Sequence, residues 1–93
     1  METIQEEERL RSERLSLAED VGSCFEAISV YISNSTATKA QKENFGDLES
    51  LRKRVYRFSF TENNNVDRRN LYVLQLEWNG LKPKLFQEEE MAI

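Results

Sequence analysis

The 93-residue chain contains no histidine, one cysteine and one proline. Without histidine it lacks the side chain that most readily exchanges protons near neutral pH and most often binds zinc. The single cysteine, Cys24, cannot form a disulfide within the chain, which fits a reducing compartment. Because Cys24 lies on the apolar face of a predicted helix and has no histidine to activate it, we expect a buried, unreactive thiol.

Glycine and long apolar runs are also scarce. The three glycines are isolated, so the chain has no glycine-rich phosphate loop, and its acids do not follow the spacing of a calcium loop. No apolar run approaches the roughly 18 residues that span a bilayer. The N-terminus is acidic, whereas a secretion signal is basic and then apolar. We therefore expect no enzymatic activity, cofactor, metal or membrane partner, and an intracellular location, cytoplasmic or nuclear.

The net charge of −4 is unevenly distributed. Residues 1–38 carry eight acids and three bases, residues 39–84 carry ten bases and six acids, and the last nine residues add three glutamates. The three segments thus carry −5, +4 and −3. Such a basic middle indicates either an anionic partner or contact with the chain's own acidic ends.

The N-terminal third predicts a long helix, over residues 1–33. Its apolar residues recur at intervals of three and four, as the following set shows: Leu10, Leu17, Val21, Cys24, Phe25, Ile28, Tyr31 and Ile32. Part of this set is a short heptad seam typical of a coiled coil, but Arg14 interrupts it. The breadth of the stripe favours packing on the chain's own domain over pairing with another helix. Half of residues 1–12 are charged, and this segment predicts a helical extension, a tail or a segment that becomes ordered on a partner.

A second helix follows the polar stretch SNSTATKAQ. Ser35 or Thr36 can cap it, and its apolar positions continue to about Arg54. Gly46 weakens this helix, and the pattern leaves two possibilities open. Either the helix continues through Gly46, or Gly46 ends it and Asp47 caps a second, shorter helix.

The remainder predicts strands, because polar and apolar residues alternate there. One strand candidate covers residues 55–61 and another covers Leu71–Trp78, with the polar loop TENNNVDRRN between them. Asn79-Gly80 is a strong hairpin signal, and LKPKLF, with its proline, suits a third strand at a sheet edge.

The aromatic residues on alternate positions of the first strand raise the question of a base-stacking surface. Tyr56, Phe58 and Phe60 share one face, and the opposite face is too polar to be a core. We therefore predict that these aromatics pack under the helices beside Tyr72, Leu74, Leu76 and Trp78. The expected fold is α+β: a long N-terminal helix, a second helix, and an antiparallel two- to three-stranded β-meander under the helices. Residues 13–86 would form this single domain, and residues 87–93 an acidic tail.

For function, the sequence favours a non-enzymatic protein–protein interaction module, a small subunit of a larger assembly or a regulatory protein. The partner would be a second copy, forming a homodimer, or a heterologous protein. The expected contact residues are apolar positions on the helical seam, the second sheet face and the tail: Leu10, Leu17, Val21, Leu71, Val73, Met91 and Ile93.

Two alternatives remain open from sequence. The first is nucleic-acid binding by the basic segment 52–69, with the following candidate residues: Arg52, Lys53, Arg54, Arg57, Arg68 and Arg69. The simpler interpretation is a solvated helix end, where cations suit the helix dipole, followed by a polar hairpin tip. The second alternative is a small inhibitor or immunity-type protein acting through its acidic surfaces.

Overall fold

The computed structural model describes residues 2–86, with side chains from residue 5 onward, and these residues form three helices. They are α1 (Glu2–Ser33), α2 (Lys39–Tyr56) and α3 (Asn64–Leu85). No strand occurs within residues 2–86, so the predicted α+β fold with a β-meander is wrong. Arg68 contacts Glu6, which places the N-termini of α1 and α3 at the same end of the bundle. Phe25 stacks on Phe45, as expected for an antiparallel α1 and α2.

Helix α1 contributes one continuous buried stripe to the core. Leu10, Leu17, Val21, Cys24 and Ile28 are all at most 8% exposed. Their spacing keeps them on one side of a helix with 3.6 residues per turn. This burial agrees with the interpretation that the broad apolar face packs on the chain's own domain. Two residues of the predicted N-terminal extension also contact the bundle, because Leu10 belongs to the core and Glu6 is bonded to α3.

Helix α2 begins with a capping box formed by Thr38 and Gln41. The Thr38 hydroxyl accepts a hydrogen bond from the Gln41 N–H, and the Gln41 side chain accepts one from the Thr38 N–H. The predicted cap, Ser35 or Thr36, is therefore wrong. Ser35 instead lies in the turn between α1 and α2, with a positive φ of 61°. Helix α2 continues through Gly46, which decides the alternative that the sequence left open.

Helix α3 replaces the predicted second and third strands. Its buried apolar residues are Leu71, Leu74, Trp78, Leu81 and Leu85, at alternating intervals of three and four. The same segment also alternates like a strand, because Leu74 and Trp78 satisfy both periods. Asn79-Gly80 lies inside this helix and forms no hairpin, and Pro83 lies in its last turns and not at a sheet edge. The polar loop between the predicted strands contains the start of α3, where the Asn63 side chain accepts the N–H bonds of Asn65 and Val66.

The segment predicted as the first strand is the end of α2 and the linker to α3. Tyr56 ends α2 and is half exposed, so its predicted place in the core is wrong. Phe58 and Phe60 do pack on the core, edge to face with ring centroids 4.9 Å apart, but from a linker and only partly buried.

Asp67, a buried acid in the first turns of α3, holds this linker in place. Its carboxylate accepts hydrogen bonds from the Thr61 N–H at 2.9 Å and from the Thr61 hydroxyl at 2.9 Å. The bonds satisfy a charge that is only 2% exposed and lies near the positive end of the helix dipole. Arg14 fastens the other end of the linker, because it donates to the carbonyl of Tyr56 at 2.9 Å.

Candidate protein-binding surface

Most of the apolar residues expected to contact a partner lie inside the bundle. Leu10, Leu17, Val21 and Leu71 are each at most 2% exposed, so another chain could reach them only if the helices separated. Val73 is different, because it is 46% exposed on α3. Met91 and Ile93 lie outside the described residues.

Ion pairs within the chain engage half of the predicted basic set. Arg54 pairs with Glu77 across α2 and α3, and Lys53 lies 4.0 Å from Glu49. Arg68 pairs with Glu6 between α3 and the start of α1. Acids of the same chain therefore match three of the six predicted bases.

The other three basic residues have different surroundings. The Arg52 guanidinium lies 4.6 Å from the Phe25 ring centroid and 5.0 Å from that of Tyr56, so it joins α1 to α2. Arg57 and Arg69 form no ion pair with any side chain among residues 5–86. Arg57 is the C-cap residue that follows α2, whereas Arg69 lies on the exposed side of α3.

The two inter-helix ion pairs both lower the pKa of their carboxylates. The Arg54 Nη1 atom donates to Glu77 Oε2 at 2.8 Å, and this bond lowers the pKa of Glu77 and raises the pKa of Arg54. The hydrogen bond from Arg68 likewise lowers the pKa of Glu6. Both carboxylates are therefore ionised and paired at neutral pH.

Four exposed apolar side chains lie on the side of α3 that faces away from the core, namely Val66, Tyr72, Val73 and Leu76. Tyr72, Val73 and Leu76 are 61%, 46% and 49% exposed, respectively. At about 100° per residue, they point opposite the stripe that α3 buries. We call this side the α3 outer face, and it comprises Val66, Arg69, Tyr72, Val73, Leu76 and Gly80.

Two hollows adjoin the α3 outer face. A groove of about 480 Å³ runs between α2 and α3, and its lining includes Arg54, Leu76, Glu77, Gly80 and Lys84. A second hollow of about 540 Å³ is formed at the other end of the face by Asn65, Arg68, Arg69 and Tyr72. The apolar stripe thus leads from one concave region to the other.

The charge around this face is mainly positive. Helix α3 exposes four bases and one acid, which are Arg68, Arg69, Lys82, Lys84 and Glu77. The acid, Glu77, is neutralised by Arg54. Arg69 and Lys84 form no ion pair within residues 5–86, so unmatched positive charge lies toward both ends of the face.

The sequence interpretation missed Tyr72 and Leu76 as surface residues because it placed them in a sheet core. A signal that could have found them was present. Leu71, Leu74, Trp78, Leu81 and Leu85 form an uninterrupted three-four repeat, and a helix that buries this repeat must turn Tyr72 and Leu76 outward.

The described residues show little that suggests chemistry. Cys24 is buried, as expected, and burial raises the pKa of its thiol, which disfavours the nucleophilic thiolate. In the part of the chain that the structure describes, no three His, Cys, Asp or Glu side chains are grouped so that they could hold a metal ion. None of the described helices combines the length and apolarity needed to cross a membrane.

Comparison with protein-family models, curated proteins and solved structures finds no match to this chain. Its function must therefore be argued from its own surface.

Proposed function

We propose that the chain is a non-enzymatic module that binds another protein through the α3 outer face. One observation carries this proposal: α3 is apolar on two opposite sides, and the bundle covers only one of them. A helix with apolar residues on both sides is normally packed between two layers. Exposed apolar residues that are contiguous, in contrast to single ones, mark interaction surfaces.

The composition of the face also suits binding. Tyr and Arg are enriched among the residues that dominate binding energy, and Tyr72 and Arg69 are three residues apart on one side of the helix. Fully burying a Leu or Val side chain stabilises a complex by about 1.5–3 kcal/mol. Since Val73 and Leu76 are about half exposed, each would contribute about half of that on binding.

The other hypotheses have less support. Homodimerisation through Leu10, Leu17 and Val21 would require these residues to leave the core. Nucleic-acid binding by the basic segment remains a hypothesis that the placement of its bases does not favour, because three of the six are paired with acids of the chain. No observation favours the inhibitor hypothesis over a general binding module.

Two exposed leucines allow a matched test. Leu76 on α3 is 49% exposed and Leu15 on α1 is 54% exposed. We expect Leu76→Glu to abolish co-purification of the partner from cells that express the chain, whereas Leu15→Glu retains it. Circular dichroism of both variants would verify that each remains helical. Equal retention by the two variants, or loss only with Leu15→Glu, would contradict the proposed surface.

A further inference from the structure

We infer that the α3 outer face binds an acidic amphipathic helix of a heterologous partner. This inference rests on the proposed function and names the class of segment that the face accepts. It follows from the shape of the stripe, from the charges at its ends and from the poor fit of a second copy.

The shape suits a helix. Tyr72, Val73 and Leu76 form a stripe with helical spacing, and Gly80 continues it one turn further. From Tyr72 to Gly80 the stripe extends about 12 Å, or roughly two turns. An apolar stripe of this kind matches the anchor residues of a helix that lies along a groove.

Gly80 marks the place of closest approach. A Cβ atom added there would meet no atom within 4 Å, so the chain's own packing does not require glycine at this position. Glycine weakens a helix interior relative to alanine, but it allows another backbone to come close. Gly46 on α2 is equally open and lies outside the α3 outer face, which makes it a matched control.

The unpaired bases at the two ends of the α3 outer face indicate that the bound helix carries acidic residues beside its apolar anchors. Arg69 and Lys84 are 15 residues apart, about 22 Å along α3, and neither is paired within residues 5–86. The groove also holds two acids: Glu77, which is bonded to Arg54, and Asp47 on the α2 wall. A helix with Glu or Asp on both sides of its apolar anchors would therefore find a base near each end.

A second copy of α3 does not fit this pattern. In an antiparallel pair centred on Leu76, Arg69 of one copy would lie beside Pro83 and Lys84 of the other. In a parallel pair, Arg69 would face Arg69. Either arrangement brings bases together, and like charges oppose association.

The test uses two synthetic peptides of about 18 residues, or five helical turns. They share one apolar stripe, but the first carries glutamate and the second lysine at the flanking positions. Each is titrated into the ¹⁵N-labelled full chain, and amide shifts are followed by NMR. We expect the acidic peptide to shift the amides of residues 69–84 saturably and the lysine peptide to bind at least about tenfold more weakly.

Variants sharpen the test. Replacing both Arg69 and Lys84 with Glu should weaken binding of the acidic peptide by about tenfold and strengthen binding of the lysine peptide. Gly80→Ala should weaken binding several-fold, whereas Gly46→Ala leaves it unchanged. Leu76→Glu should abolish the shifts.

Each other outcome has a defined meaning. Equal or stronger binding of the lysine peptide at the same residues would overturn the acidic assignment and leave the binding surface intact. If neither peptide shifts residues 69–84, the inference of a bound acidic helix is refuted, and the proposed surface is judged separately by the Leu76→Glu and Leu15→Glu comparison. Light scattering of the chain alone tests whether a second copy of the chain binds to the α3 outer face. Oligomers that Leu76→Glu dissociates would assign the face to self-association and overturn the heterologous partner.

Discussion

Replacing Gly80 with alanine separates the helix in the structure from the hairpin that Asn79-Gly80 indicates. Gly80 lies within α3, no glycine among the described residues has a positive φ, and an added Cβ would meet no atom within 4 Å. Alanine should therefore fit without strain and remove the intrinsic penalty of glycine in a helix, which is about 0.8–1.0 kcal/mol. In a type I′ hairpin, the same glycine would need a positive φ, and alanine would destabilise the fold.

The expected result is a gain of about 1 kcal/mol in the free energy of unfolding, which corresponds to a rise in Tm of about 4–8 °C for a domain of this size. Urea unfolding followed by circular dichroism at 222 nm measures it, with an unchanged m-value as a sign that only stability has changed. Gly46→Ala should produce a similar gain, because Gly46 is also open. Gly22→Ala should gain less or nothing, because its Cβ would lie 3.2 Å from the Tyr56 hydroxyl oxygen.

A loss of stability in Gly80→Ala would refute the placement of this residue in a helix. A gain in Gly22→Ala as large as that in Gly80→Ala would instead refute the close approach of Tyr56 to α1.

Three further predictions test the core, the linker and one ion pair. Leu85→Ala should lower the free energy of unfolding by about 2–5 kcal/mol, because Leu85 is fully buried. Leu76→Ala should change it by less than about 0.5 kcal/mol, because Leu76 lies on the exposed side. Urea unfolding measures both, and equal losses would contradict the assigned faces of α3. Asp67→Ala should lower the free energy of unfolding by about 2 kcal/mol, because it removes the hydrogen bonds from the Thr61 N–H and hydroxyl to a buried carboxylate, and a loss near zero would contradict this role. Because Arg54 lowers the pKa of Glu77 below its ordinary 4.5, their pair stabilises the fold above that pH and is lost as the pH falls through the folded-state pKa. Glu77→Gln should therefore remove a small part, about 0.2–1 kcal/mol, of the stability that the chain loses as the pH falls below 4.5. Urea unfolding at several pH values measures this, and an unchanged pH profile would contradict the coupling.

Local patterns were sufficient for the N-terminal half of the fold. Apolar periodicity predicts a long first helix and a second helix after a polar turn, and the structure confirms both, as α1 (Glu2–Ser33) and α2 (Lys39–Tyr56). The cap of α2 is Thr38, however, so the prediction of Ser35 or Thr36 was wrong. The buried state of Cys24 follows in the same way, because it lies within the stripe of α1. These features depend on residues close together in the chain, so the sequence alone predicts them.

The C-terminal half was ambiguous because two periods overlap in it. Tyr72, Leu74, Leu76 and Trp78 alternate like a strand, while Leu71, Leu74, Trp78 and Leu81 recur like a helix. Asn79-Gly80 then favoured the wrong choice. Tertiary packing favours the helical set, since α1 and α2 leave room for one apolar stripe with a three-four repeat, and only a helix presents that stripe continuously.

The residues of the candidate site also depend on whether the C-terminal segment is a helix or a pair of strands. The sequence identified Val73 and Arg69 as residues of interest but gave them different roles, in a sheet face and in a basic loop. It assigned Tyr72 and Leu76 to the core. Apolar periodicity by itself thus determined that the first two elements are helices. Only the tertiary structure decided which side of the last segment faces water, because that depends on which of two apolar stripes the other helices cover.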